Sequence, residues 1–172
     1  IIHDGAIYLQ SSEKKGSERL VLSLKTMDGS IRWQQRVTNQ SKAHTHVKNS
    51  LASGTAATDG QRLFLCQWDG KSVNLAAYAC SDGQPLWNLP LGPHQSQHGA
   101  GYSPIVYQNK VYVSYDGDNH AEAFCVDAVS GENADQPTVR LFEEQGYIVN
   151  LFPIIDITTA TPEQLDSLNK AD

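Results

Sequence analysis

Residues able to hold a metal ion fall in two parts of this chain. His44 and His46 lie two apart in the polar stretch TNQSKAHTHVKNS (38–50), and His94 and His98 lie in a second, GPHQSQHGAG (92–101). Alternate residues of an extended chain point the same way, so His44 and His46 can offer two imidazoles to one ion. Neither stretch specifies an acidic partner or a third ligand, and the bland reading is a solvated connection. Asp116, Asp118 and Glu122 crowd YDGDNHAE (115–122), with His120 among them. Such crowding suits calcium, yet Ala121 stands at the sixth position, where an EF-hand loop needs glycine, and β-rich runs replace its flanking helices. An Asp-Gly hairpin turn accounts for the same residues. Asp116, Asp118, Glu122, His44 and His46 are therefore metal candidates without a complete ligand set.

Other chemistry is harder to find. Ser53-Gly54 and Ser103-Pro104 lie in no G-x-S-x-G elbow, and no glycine-rich phosphate loop is present. Cys66, Cys80 and Cys125 form neither a CxxC pair nor a CxxCH haem motif. Each lies in or beside an apolar run, where a free thiol behaves as a small buried hydrophobe. No residue is assigned a catalytic role.

What must position these loops is a repeat. The slots SLKTMDG (23–29), AYACSDG (77–83) and CVDAVSG (125–131) end on Gly29, Gly83 and Gly131, spaced by 54 and 48 residues. Trp33 and Trp87 follow the first two glycines at the same four-residue offset. A period near 50 implies units that bury their apolar faces only against one another. Each unit opens on a turn and a short β-rich run: AIYLQ (6–10), RLFLCQW (62–68), VYVSY (111–115). A second run follows (RLVLSL, VNLAAYA, EAFCV), then the glycine turn and, in the first two units, a third run (IRWQQRV, PLWNLPL). Units two and three add an incoming strand, SGTAATDG and GYSPIVYQNK, giving four strands, the count of a propeller blade. The first unit is expected to lack that strand. Hairpins are expected for 62–68 with 73–79, and for 111–115 with 122–127 around Asp116–His120.

The expected fold is all-β: antiparallel blades over 1–37, 53–91 and 101–141. A non-repeat tail follows over 142–172, with a strand at 146–158 and a helix at 162–170. Thr161, Pro162 and Gln164 supply the helix cap, the first helical position and the capping-box residue. Trp33 and Trp87, at fixed offsets from glycine turns, are read as inter-blade anchors rather than a ligand platform.

These residues resemble the pyrroloquinoline-quinone-type β-propeller repeat, over roughly residues 1–133. Its alanine-leucine-aspartate part maps onto Ser23-Leu24-Lys25, Ala77-Tyr78-Ala79 and Cys125-Val126-Asp127. Its threonine-glycine turn maps onto Asp28-Gly29, Asp82-Gly83 and Ser130-Gly131, and its tryptophan onto Trp33 and Trp87. KNSLASGTAATDGQRLFLC and SQHGAGYSPIVYQNKVYVS look like the long-blade, extracytoplasmic form of planctomycete-type bacteria. Many members of this fold bind no quinone and act as scaffolds. The quinone-dependent alcohol dehydrogenases of similar fold use eight blades, calcium, an adjacent-cysteine pair and a catalytic aspartate, and this sequence has no Cys-Cys pair. The resemblance thus implies a non-enzymatic, extracytoplasmic scaffold or a ligand- or protein-binding module without cofactor. The other reading is part of a quinone- or metal-dependent oxidoreductase whose active centre needs further blades, with pyrroloquinoline quinone or calcium as cofactor.

Composition narrows the partners. The net charge is −6 over 172 residues, with eight Lys/Arg against four Asp/Glu in residues 1–50. Those basic residues are scattered without aromatic interleaving, which argues against a nucleic-acid surface. The longest apolar stretch, GYIVNLFPII (146–155), is interrupted by Asn150 and Pro153 and is far short of the ~20 residues that span a bilayer. The chain opens on Ile1-Ile2 rather than methionine, as expected of a processed or excised piece. Three blades fall short of the four to eight of a closed propeller, so further blades or another chain are the expected partners.

Overall fold

The structure, a computed structural model, describes residues 1–13, 18–37, 46, 49–69, 71–94, 98–117 and 120–133. The expected tail strand and helix, and 134–141 of the third unit, lie outside the described residues. All described regular structure is β, in three successive antiparallel sheets. Blade one holds β1 (Ile2–His3), β2 (Ala6–Glu13), β3 (Glu18–Lys25) and β4 (Ile31–Val37). Blade two holds β5 (Ala57–Thr58), β6 (Arg62–Trp68), β7 (Ser72–Ala79) and β8 (Pro85–Pro93). Blade three holds β9 (Ile105–Tyr107), β10 (Lys110–Gly117) and β11 (His120–Asp127), with a bridge from Val126 to Asn133 where a fourth strand would pair.

Each blade is a meander in chain order, as short strands joined by tight polar turns dictate. Aspartates build those turns. Asp59, Asp69 and Asp127 each accept two successive backbone N–H groups through Oδ1, at 2.7–3.0 Å. Both expected hairpins are present, Arg62↔Ala79 through Trp68↔Val73 and Lys110↔Asp127 through Gly117↔His120. The second ladder runs further than expected, to Gly117↔His120. Blade one also corrects the expectation that it lacks an incoming strand. Ile2 pairs with Ile7 and His3 with Ala6 across a turn at Asp4-Gly5, where both residues have positive φ. The pairing is two residues long, too short to register as a period-2 pattern in sequence.

The outer strand β8 carries Pro85, Pro90 and Pro93 and pairs on one side only, where the missing N–H donors cost no ladder bond. β6 is buried at six consecutive positions, Leu63 to Trp68, because blade two is covered on both faces. Leu63 and Leu65 join Tyr8, Val21 and Trp33 in the core toward blade one. Phe64, Cys66 and Trp68 join Val111, Val113 and Tyr115 in the core toward blade three. A strand covered on both faces has no fully polar face to show, hence an apolar run interrupted only by Gln67.

This core titrates at high pH. Burial pushes the Cys66 thiol from its ordinary 9.0 up to about 12. Burial, with Cys125 beside it, pushes the Tyr112 phenol from 10.0 up to about 12. Both groups ionise earlier in the unfolded chain, so their contribution is intact below pH 9 and is lost as pH rises toward 12. The urea midpoint is therefore expected to fall between pH 9 and pH 12, and to fall less in a Cys66→Val variant. A midpoint level across that range would contradict burial of the two groups.

Candidate functional site

Blade two turns polar where its face leaves the core toward blade one. Beyond Leu63 and Leu65 the same face presents Gln67 and, opposite it, Asn74. Blade one cannot seal against amides, and a groove of about 610 Å3 opens there. Gln35 and Arg36 of β4 form one wall; Gln67, Asn74, Tyr78 and Asn88 line blade two. Gln67 Nε2 donates to Tyr78 Oη at 3.1 Å, and both residues are 6% exposed. Burial raises the Tyr78 phenol and the Gln67 bond opposes it, so the pair is a neutral, oriented floor. Asp69 marks one end. Next to it Arg19, 4% exposed, donates from Nη1 to the Trp68 carbonyl. Burial lowers the Arg19 pKa, and the Asp69 charge resists that fall.

The histidines divide differently from their sequence grouping. His94 is 6% exposed, its Nδ1 3.0 Å from Tyr102 Oη. Trp68, Tyr102 and Tyr115 each meet its ring edge-on, with centroids 5.4–5.8 Å away. Tyr115 Oη donates to the Pro93 carbonyl, so the cluster pins the connection after blade two. His98 instead meets His46, ring centroids 5.1 Å apart at 70°. Asn49 Nδ2 donates to the His98 carbonyl at 2.5 Å, and the Thr55 N–H to Ser103 Oγ at 2.9 Å. Equivalent residues of successive connections thus lie side by side, and the 52-residue separation of His46 and His98, close to the repeat period, is the signal that pairs them.

Of the other candidates, His44 and Asp118 lie outside the described residues. Asp116 pairs with Ala121 and Glu122 with Tyr115, placing the two acids on adjacent rungs of the blade-three hairpin. Among the described residues no three His, Cys, Asp or Glu side chains gather as a metal site. Sequence reading missed Arg19, Gln67 and Tyr78, whose pattern is simply that of strand residues.

The repeat glycines and tryptophans form one device. Trp33 of blade one lies on Gly83 of blade two, and Trp87 of blade two lies on Gly131 of blade three. A methyl built on either glycine would come 2.5 Å from Trp33 Cε3 or 2.6 Å from Trp87 Cδ2. The indole N–H groups donate to Cys80 O at 2.9 Å and to Ala128 O at 3.1 Å.

No family model and no curated protein matches this sequence. Solved structures do. A europium-containing methanol dehydrogenase matches at TM-score 0.55 and 18% identity, over 77% of this chain and 23% of its own. A quinohemoprotein alcohol dehydrogenase from Pseudomonas putida HK5 matches at 0.53 and 19%, over 78% of this chain and 19% of its own. The quinohemoprotein alcohol dehydrogenase of Comamonas testosteroni matches at 0.55 and 17%, over 77% and 19%. The class defined by fold is therefore the quinoprotein-type β-propeller. The chain spans about a fifth of the length of these structures. Cys66, Cys80 and Cys125 are each free and buried.

Proposed function

We propose that this chain is a section of a quinoprotein-type propeller serving as an extracytoplasmic, non-enzymatic scaffold that binds a protein partner along the groove between blades one and two. The groove's amides carry this reading. Gln35, Asn74 and Asn88 line the same opening, above the oriented Gln67–Tyr78 pair. Each amide offers both a donor and an acceptor, the match for peptide groups of a partner segment. Placing a photo-crosslinking residue at Asn88 in cells of the source organism is expected to give a discrete protein adduct. The same residue at Ser114, an exposed position of blade three, should not. Identical adducts from both positions, or none from Asn88, would overturn the reading.

The names of the similar structures support a second reading, a section of a quinone-dependent oxidoreductase. Reconstitution with pyrroloquinoline quinone and calcium, followed by dye-linked alcohol oxidation, separates the two. Turnover above a protein-free control, abolished by Asp116→Ala or Asp118→Ala, would favour the enzyme.

A further inference from the structure

His46 and His98 come from different connections, 52 residues apart, yet their rings touch, with centroids 5.1 Å apart at 70°. One residue ties down both. Asn49 donates its backbone N–H to the His46 carbonyl at 2.8 Å and its side-chain Nδ2 to the His98 carbonyl at 2.5 Å. Asn49 Oδ1 is itself held, accepting the Ser50 N–H at 2.7 Å and the Ser53 hydroxyl. A second tie, from the Thr55 N–H to Ser103 Oγ at 2.9 Å, joins the same two stretches further along.

His94, in the same connection as His98, spends its ring on a buried cluster with Trp68, Tyr102 and Tyr115. The other two stand differently: His46 is half-buried and His98 exposed, so both can be reached from solvent. A zinc ion about 2.1 Å from one nitrogen of each ring, at a tetrahedral angle and with each ring centre about 1.1 Å beyond its nitrogen, sets the centres about 5.2 Å apart. The observed separation is 5.1 Å. Edge-on packing gives a similar distance without an ion, but a solvent-exposed imidazole pair gains little from packing alone and needs no frame fixing both carbonyls. Neutral imidazole is the nitrogen ligand that zinc and its neighbours in the divalent series take. Two protein ligands leave the remaining positions to water, so the site is an open one at the surface, consistent with the lack of any three-residue set among the described residues.

We propose that His46 and His98 form a site for a zinc-class divalent cation, which clasps the connection after blade one to the connection after blade two. Asn49 is a positioning residue: it holds the backbones of both histidines and touches the ion with neither. The site shares no residue with the groove between blades one and two and does not depend on what that groove binds. The folded chain holds the two rings together and the unfolded chain does not, so the ion also stabilises the fold.

The test titrates zinc into the full chain by calorimetry and reads Tm with and without it. Saturable binding is expected, and zinc about a hundredfold above its dissociation constant should raise Tm by roughly 5 °C or more. His46→Ala and His98→Ala should each weaken binding by at least about tenfold and lose that gain, since even removing a residue that only orients a ligand costs as much. Without zinc their Tm should stay within about 2 °C of the parent, as for surface changes. Asn49→Ala, which keeps both imidazoles, should weaken binding less than either. Diethyl pyrocarbonate modification, mapped by mass spectrometry, gives the location: zinc should protect His46 and His98 and leave the exposed His3 reactive. Unchanged zinc binding in His98→Ala would overturn the proposal, and its loss in His44→Ala alone would assign the ion to a chelate within the first connection. An absence of saturable binding would overturn it as well. Should a variant fail to fold, the parent chain still decides, because protection of His46 without His98, or of neither, is incompatible with a shared ion.

Discussion

Valine in place of Gly83 is expected to lower stability by about 2–5 kcal/mol, from overpacking plus the strain of a branched residue in the left-handed region. The side chain has nowhere to go, because its first carbon would already lie 2.5 Å from Trp33 Cε3. Trp33→Ala attacks the same contact from the other side and should cost about 3–5 kcal/mol as a large-to-small change at a buried position. The two are coupled: alanine at position 33 leaves room for the valine, so the double variant should cost clearly less than the two singles together. Gly29→Val, at nearly the same φ but with open space around it, should show only the backbone strain, about 1–2 kcal/mol. Urea unfolding of the four proteins decides the matter. Equal losses at Gly29 and Gly83 would mean that the ring does not bear on the turn.

Arg19→Met is expected to be the most damaging change to a charged residue, at about 3–5 kcal/mol. Arg19 is 4% exposed and donates across the blade-one–blade-two interface to the Trp68 carbonyl, beside the Asp69 charge. Methionine fills much of the volume but leaves that carbonyl without its donor and that carboxylate without its cation. Adding Asp69→Asn should recover part of the loss, since it removes the stranded charge. It will not recover all, because Asp69 also accepts the N–H groups of Lys71 and Ser72. A cost under about 1 kcal/mol for Arg19→Met, the scale of ordinary surface changes, would show that the guanidinium is not held in the interface.

These two residues mark how far the sequence could be read. Gly83 and Trp33 were legible because the repeat prints the same residue types at the same offsets, so the blades could be drawn before any coordinates. Their contact partners were not. The offset places a tryptophan four residues after its own glycine, yet the ring lies on the glycine of the next blade, and only the stacking of sheets decides that. Arg19 was one more scattered base in the first third of the chain. Its burial depends on where the Trp68 carbonyl falls, 49 residues away, which no local pattern encodes. His46 and His98 were halfway between: the repeat period relates them, but reading each connection by itself grouped His46 with His44. The amide groove was invisible because Gln67 and Asn74 occupy ordinary alternating strand positions. They become a site only where the neighbouring blade stops covering them.

The indole clip also has a direction. At both junctions the ring is given forward along the chain, from blade one to Gly83 of blade two and from blade two to Gly131 of blade three, so the blades do not meet there by equivalent surfaces. An assembly with such head-to-tail contacts has no two-fold partner that could cap it. It ends only when the accumulated rotation brings the last giver round to the first receiver, and otherwise it extends as an open array. The ring of a propeller is, on this view, the one finite answer to a polar interface repeated without change.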